Sequence, residues 1–218
     1  MTDSAQMKAN LLAFLGQHGR TTSLNEDDYA KLNVMIADLE AITPRIAGEV
    51  EEVVEGSWQT EFASFGIKHS MGKNQEHDSD LALQSFNRMP KVPVRVSNLI
   101  QEIDQATKAY NNVVTLTPPG GDLKANLVVS GTYRIDETDR KKFHINFYKV
   151  GFLMPEGCDA ADLRNAFGLS PDQALSVDLP AAKLWSDITY VDQNLRINKG
   201  NFGGVYVLSR RQEKAVSI

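Results

Sequence analysis

The chain has 218 residues, 42% of them hydrophobic, and a formal net charge of −5. That apolar share supports a packed core in one domain of moderate size and excludes a wholly disordered chain. The acidic balance excludes the basic footprint of a nucleic-acid binder, because Arg140-Lys141-Lys142 and Arg210-Arg211 are too short to supply one and read as solvated strand ends.

The first fifty residues read as helical. Met7, Leu11, Phe14 and Leu15 recur at helical spacing, with Gly16 and Gly19 as stops. Asn25 is placed to cap a second helix, and Glu26, Asp27 and Asp28 set negative charge on the positive end of its dipole. Leu24 packs on Tyr29 as a hydrophobic staple, and Tyr29, Leu32, Ile36 and Leu39 form the buried stripe. Pro44 ends the helix. These helices are expected to pack on the domain that follows; the polar face of the first is too poor in basic charge for an interfacial membrane helix.

From Gly56 the period changes to two. Trp58, Thr60 and Phe62 alternate with Gln59 and Glu61, and Leu99, Gln101 and Ile103 with Ile100 and Glu102. Leu123, Ala125, Leu127, Val129 and Tyr133 share a face, as do Phe143, Ile145 and Phe147, with Asp136 to Asp139 as the hairpin loop between them. A two-residue turn at Gln193-Asn194 sets Tyr190 opposite Ile197. It puts Ile188, Tyr190, Asp192, Leu195 and Ile197 on one face, and Thr189, Val191, Arg196 and Asn198 on the other. About eight strands in sequence with short polar links predict a mainly β fold: an antiparallel meander closed into a barrel, its apolar rows inward. The resulting organisation is a helical segment over 1–50, a barrel over 51–212 with a helical insert at 155–182, and a tail at 213–218. Within the insert, Asp159 is a cap, Gly168 a stop and Ser170-Pro171 a fresh start; Gly72 to Pro93 reads as a long flexible loop.

No catalytic or metal-binding constellation stands out. His18, His69, His77 and His144 have no metal-ligand spacing and read as surface residues, and the glycines at 200, 203 and 204 read as turn residues. Cys158 is the single cysteine, compatible with a reducing compartment, and reads as incidental. The polar residues Gln101, Asn112 and Asp192 interrupt or adjoin apolar rows. A buried polar group needs a partner, so each either joins a structural network or meets a ligand head group. For Asp192, at a turn, acceptance from nearby backbone N–H groups is favoured. The candidate ligand contacts are Phe62, Gln101, Asn112, Phe147, Tyr190, Asp192 and Ile197.

Three segments resemble the plastid-lipid-associated proteins, also called plant and cyanobacterial fibrillins. They are Gly56-Ser57-Trp58 after a helix ending Leu39 to Pro44; Gln101 to Asp104 followed by Asn112-Val113-Val114; and Tyr190 to Gly200, closing with Val205 to Arg210. The chain departs from that pattern over Gln59 to Ser64, at Lys199 before Gly200, and in the insert. The resemblance implies a lipocalin-like (calycin) barrel in which Trp58 opens the first strand and Arg210 packs on its ring as a structural closure. It also implies binding of isoprenoid-type lipids such as carotenoids or quinones, with no other cofactor, and association with photosynthetic membranes or lipid bodies. The polar start, Met1 to Gln6, has neither a secretory nor a transit pattern, so the chain is expected to be cytoplasmic and peripheral on a thylakoid membrane; with no acid–base or nucleophile pair visible, it is not expected to be an enzyme. Two alternatives stand beside carriage: a coat on lipid bodies or thylakoids without an internal ligand, and an enzyme using Asp192 or another carboxylate as acid or base on a hydrophobic substrate inside the barrel.

Overall fold

The structure, a computed structural model, describes residues 4–17, 24–42, 50–64 and 77–211. Helices α1 (Ser4–Gln17) and α2 (Glu26–Ile42) come first. Asn25 caps α2 as its sequence position predicts, its Oδ1 accepting from the Asp28 amide at 2.8 Å. A short helix α3 (Val50–Val54) leads into β1 (Gly56–Ser64). Then follow β2 (His77–Asp80), the single turn α4 (Leu81–Gln84), β3 (Pro93–Asp104), β4 (Ala109–Thr117), β5 (Ala125–Ile135) and β6 (Lys142–Leu153). The chain continues through α5 (Ala160–Ala166), β7 (Ser176–Asp178), β8 (Leu184–Val191), β9 (Leu195–Gly200) and β10 (Val205–Arg210).

Strands β1, β3, β4, β5, β6, β8, β9 and β10 each pair antiparallel with the next, and β10 returns to β1. The result is a closed up-and-down barrel of eight strands, which leaves no open edge on its main path. β2 extends β3, and β7 covers the part of β6 that β8 does not reach.

Bulges reset which side chains point inward. One extra residue sits in β1 between Thr60 and Phe62, one in β6 between Phe147 and Lys149, and one in β8 between Ile188 and Tyr190. Because side chains alternate with period two, each insertion exchanges the faces beyond it. Trp58 therefore belongs to the barrel interior, with Leu99, Ile103, Val114, Leu127, Val129, Phe143 and Phe147. Phe62 belongs to a second core outside the barrel, with Tyr190, Leu195, Ile197, Val205 and Val207, beneath Leu11, Phe14, Leu15, Leu32, Ile36 and Leu39 of the helices. The wall formed by β1, β8, β9 and β10 is thus buried on both faces.

Each end of the barrel has its own cover. At the end where β1 begins and β10 finishes, α3 inserts Val50 and Val54 into the interior core. Glu51 accepts from the Tyr133 hydroxyl at 2.8 Å and is paired with Lys108. Burial alone would raise the Glu51 carboxyl, but these two donors hold it below its ordinary value. At the other end, the predicted flexible loop is structured over 77–93, and residues 72–76 of it lie outside the described residues. β2 pairs with β3, Leu81 and Met89 are buried, and the Phe86 ring lies 5.8 Å from that of Phe147. The apolar Leu81, Met89 and Val92 anchor this segment against the interior, which an all-polar loop could not do. The insert packs there as well: Asp159 caps α5 in a capping box, and Gly168 at φ +64° ends it. Leu163, Phe167 and Leu169 then enter the interior core. No helix starts at Ser170-Pro171, where the chain makes a turn before β7.

Candidate functional site

The inward rows can be followed around the wall strand by strand. One row runs Arg210–Trp58–Gln101–Asn112–Val129. The next runs Val191–Arg196–Leu208–Thr60, and the one beyond it Ile188–Asn198–Tyr206–Ala63. Apolar side chains dominate, and Gln101, Arg196 and Arg210 meet around Trp58.

Trp58 is fully buried, and its Nε1 donates to the Val54 carbonyl at 2.8 Å, tying β1 to α3. Two guanidinium groups stand over its ring: Arg210 at 4.2 Å from the centroid and Arg196 at 4.8 Å. All three guanidinium nitrogens of Arg210 are engaged. Its Nε donates to the Gln193 carbonyl and its Nη1 to the Glu55 carbonyl, both at 2.7 Å, and its Nη2 to the Val53 carbonyl. It is therefore a clamp between α3, the β8–β9 turn and Trp58 rather than the solvated strand end expected from the basic pair.

Arg196 is different. It is fully buried, its Nη2 donates to Gln101 Oε1, and its Nε and Nη1 have no hydrogen-bond partner among the described residues. Burial pulls its guanidinium down to about 10, with Tyr110 opposing and Arg210 adding to the shift, so it remains a cation at neutral pH. Gln101 Oε1 also accepts from the Tyr110 hydroxyl at 3.0 Å. Burial raises that phenol first of all, so Tyr110 is neutral. Three further buried inward oxygens lack partners among the described residues: Thr60 Oγ1, Asn112 Oδ1 and Asn198 Oδ1.

Of the candidate ligand contacts, the structure brings Gln101, Asn112 and Phe147 to the barrel interior. Phe62, Tyr190 and Ile197 do not face it. They lie under α1 and α2, because the bulges in β1 and β8 turn them to the outer core. The Tyr190–Ile197 register holds, but Ile188, expected on the Tyr190 face, falls on the opposite side of the bulge. Asp192 also serves the helix side. It accepts from Lys8 at 2.6 Å and from Tyr190 at 2.8 Å on Oδ2, and from the amides of Asn194 and Leu195 on Oδ1. Burial would raise its carboxyl, but these donors outweigh it and hold it below its ordinary value.

Sequence alternation missed Arg196 and Asn198, which it assigned to the outer face. The signal lay in the helices: stripes such as Leu11–Phe14–Leu15 and Leu32–Ile36–Leu39 need an apolar outer wall to cover. Leu195 and Ile197 provide it, which sends their neighbours inward.

A separate groove of about 530 Å³ lies on the outer surface between α1 and α2, lined by Met7, Asn10, Lys31, Val34, Met35 and Asp38. Among the described residues, no group of three or more His, Cys, Asp or Glu is placed to hold a metal, and no helix is long and apolar enough to cross a membrane. His144 stands 2.7 Å from Asp136, at the hairpin the sequence predicts.

An eight-stranded up-and-down barrel with covered ends and a mostly apolar interior is the architecture that lipocalins have. The chain belongs to the PAP_fibrillin family, whose model matches residues 5–209. A lipocalin-like protein from Bacteroides uniformis ATCC 8492, known from its crystal structure, is similar over 72% of this chain and 98% of its own, at 8% identity and a TM-score of 0.32. No curated protein matches the chain. The family and the barrel fit a lipid-associated role in which a hydrophobic ligand is bound. Proteins of this kind are typically binding or structural proteins rather than enzymes.

Proposed function

We propose that the protein carries one hydrophobic small molecule inside its barrel. The observation that supports this most directly is the closed barrel itself, whose interior is mostly apolar and holds a few buried polar atoms without hydrogen-bond partners among the described residues. Small-molecule sites have this composition, with apolar walls for affinity and sparse polar groups for orientation. By family resemblance the ligand is an isoprenoid-type lipid such as a carotenoid or quinone, met at photosynthetic membranes or lipid bodies, to which the protein attaches peripherally.

The energetics are sufficient. A guest that buries roughly 400 Å² of apolar surface gains about 10 kcal/mol gross. Lost translational and rotational freedom takes back about 4 kcal/mol or more, which leaves affinity in the range of tens of micromolar without any charged contact.

Organic extraction and native mass spectrometry of the purified protein, followed by titration with hydrophobic probes read by Trp58 and Trp185 fluorescence, test the reading. A co-purifying lipid, or saturable quenching at one site per chain, is the expected result. A protein that yields no lipid and binds no apolar probe does not carry one.

A coat role is favoured by a different observation, the exposed Val34 and Ile42 on the outer side of α2 beside the surface groove. It predicts that Val34→Asp with Ile42→Asp abolishes flotation with liposomes while probe binding is retained.

A further inference from the structure

Building on the reading that the barrel takes a hydrophobic guest, we propose that Arg196 is a head-group receptor and that the guest is a long-chain monocarboxylate seated on its free N–H groups.

The contrast between the two arginines over Trp58 carries the argument. Arg210 already supplies the tryptophan with a cation at 4.2 Å, and its Nε, Nη1 and Nη2 all end on backbone carbonyls. Barrel closure is complete with Arg210 alone. Arg196 adds a second cation that is fully buried and holds only Gln101, leaving Nε and Nη1 unpartnered. Burying an ion without a counter-ion is among the least favourable arrangements a fold can contain.

No carboxylate offsets it among the described residues. The titratable groups that bear on Arg196 are Tyr110, which is neutral, and Arg210, which repels it. The nearby acids are engaged elsewhere: Asp192 with Lys8 on the helix side, and Glu51 with Lys108 and Tyr133. The interior therefore lacks one negative charge.

Charge then selects the head group. The free Nε–H and Nη1–H lie on different edges of the guanidinium plane, so a carboxylate oxygen accepts a charge-assisted hydrogen bond at one of them. A single uncompensated cation balances a single negative charge. A diphosphate would bring more, and Arg210 already directs its Nε, Nη1 and Nη2 to backbone carbonyls. Thr60 shares the register row of Arg196, and its partnerless hydroxyl is available to donate to the same head. From that row the wall continues toward the α4 and α5 end through Val114, Leu116, Leu99 and Leu127, apolar lining suited to a chain. Acyl and prenyl chains share this chemistry.

Matched pairs test it: oleate against oleyl alcohol for an acyl chain, and retinoic acid against retinol for a prenyl chain, each titrated into the full protein. The wild type is expected to bind the acids at least about tenfold more tightly than the alcohols, because an alcohol oxygen accepts from Arg196 but brings no negative charge to pair with it. Arg196→Met should bring each pair within about twofold, and Arg196→Lys should retain part of the preference. Without ligand, Arg196→Met should unfold no earlier than the wild type, because the variant removes an uncompensated buried charge. A residue whose role is only structural would show the opposite.

Equal binding of acid and alcohol by the wild type, or a preference that survives in Arg196→Met, overturns the assignment while leaving hydrophobic carriage standing. That includes the case in which water alone satisfies Arg196, since water confers no head-group preference. The wild-type comparison decides even if the methionine variant does not fold. Failure of all four probes to bind removes the proposed function itself.

Discussion

Replacing Ile197 by alanine separates the two cores described above. Ile197 is fully buried and belongs to the layer between the barrel wall and the helices, not to the interior. The substitution deletes three carbons from that layer, at about 0.8 kcal/mol each for lost burial. Incomplete collapse of the resulting void adds on the order of 1 kcal/mol. The expected destabilisation is about 3–4 kcal/mol, which for a chain of this size lowers Tm by roughly 7–14 °C. Urea and thermal unfolding measure it, and probe titration under folding conditions measures the site. Affinity should stay within about twofold of wild type, because the lost atoms face the helices. If affinity falls tenfold in a protein that is still folded, Ile197 lines the ligand site and the assignment of faces from the β8 bulge is wrong. A stability loss below about 1 kcal/mol would refute the packing argument.

Three other outcomes are expected. Arg210→Lys should cost about 2 kcal/mol or more and shift Trp58 emission, since a single ammonium cannot serve the carbonyls of Gln193, Glu55 and Val53 together; a silent substitution in urea unfolding would remove the clamp. The Asp192 carboxyl is held below its unfolded value, so its contribution is full above the unfolded pKa of about 3.9 and is lost as pH falls through the lower folded value. Urea midpoints measured between pH 5 and 2 should therefore fall on the acid side, and Asp192→Asn should flatten part of that decline. Gly131→Ala should cost about 1–3 kcal/mol, because a Cβ there would lie 2.7 Å from Phe147 Cδ1 and 2.9 Å from the Tyr110 carbonyl oxygen. Combining it with Phe147→Leu should recover part of the loss in thermal unfolding.

Much of the barrel was legible because its strands obey simple alternation where one face is buried and the register is regular. The rows Leu127–Val129 and Phe143–Ile145–Phe147 point inward as their periodicity predicts, and the Gln193-Asn194 turn sets Tyr190 against Ile197. The candidate site was legible only in part, for two physical reasons. Bulges at Glu61 and Thr189 carry no compositional mark, yet each exchanges the faces beyond it, which moved Phe62 and Tyr190 out of the interior. In addition, β9 is buried on both sides, so polarity no longer distinguishes inside from outside. Arg196 looks like a solvent residue by type and is among the largest fully buried side chains. Asp192 was read correctly as a turn carboxylate, but its partner Lys8 lies 184 positions away, beyond any local pattern.

The double-sided burial of β9 has a consequence for how the molecule breathes. Its backbone amides are bonded to β8 and β10, with helices over one face and the barrel lining under the other. Local fraying gives deuterium no access to them, so the amides from Arg196 to Asn198 should exchange only when the whole domain opens. In a hydrogen-exchange experiment, that strand becomes an internal gauge of global stability against which any bound guest can be weighed.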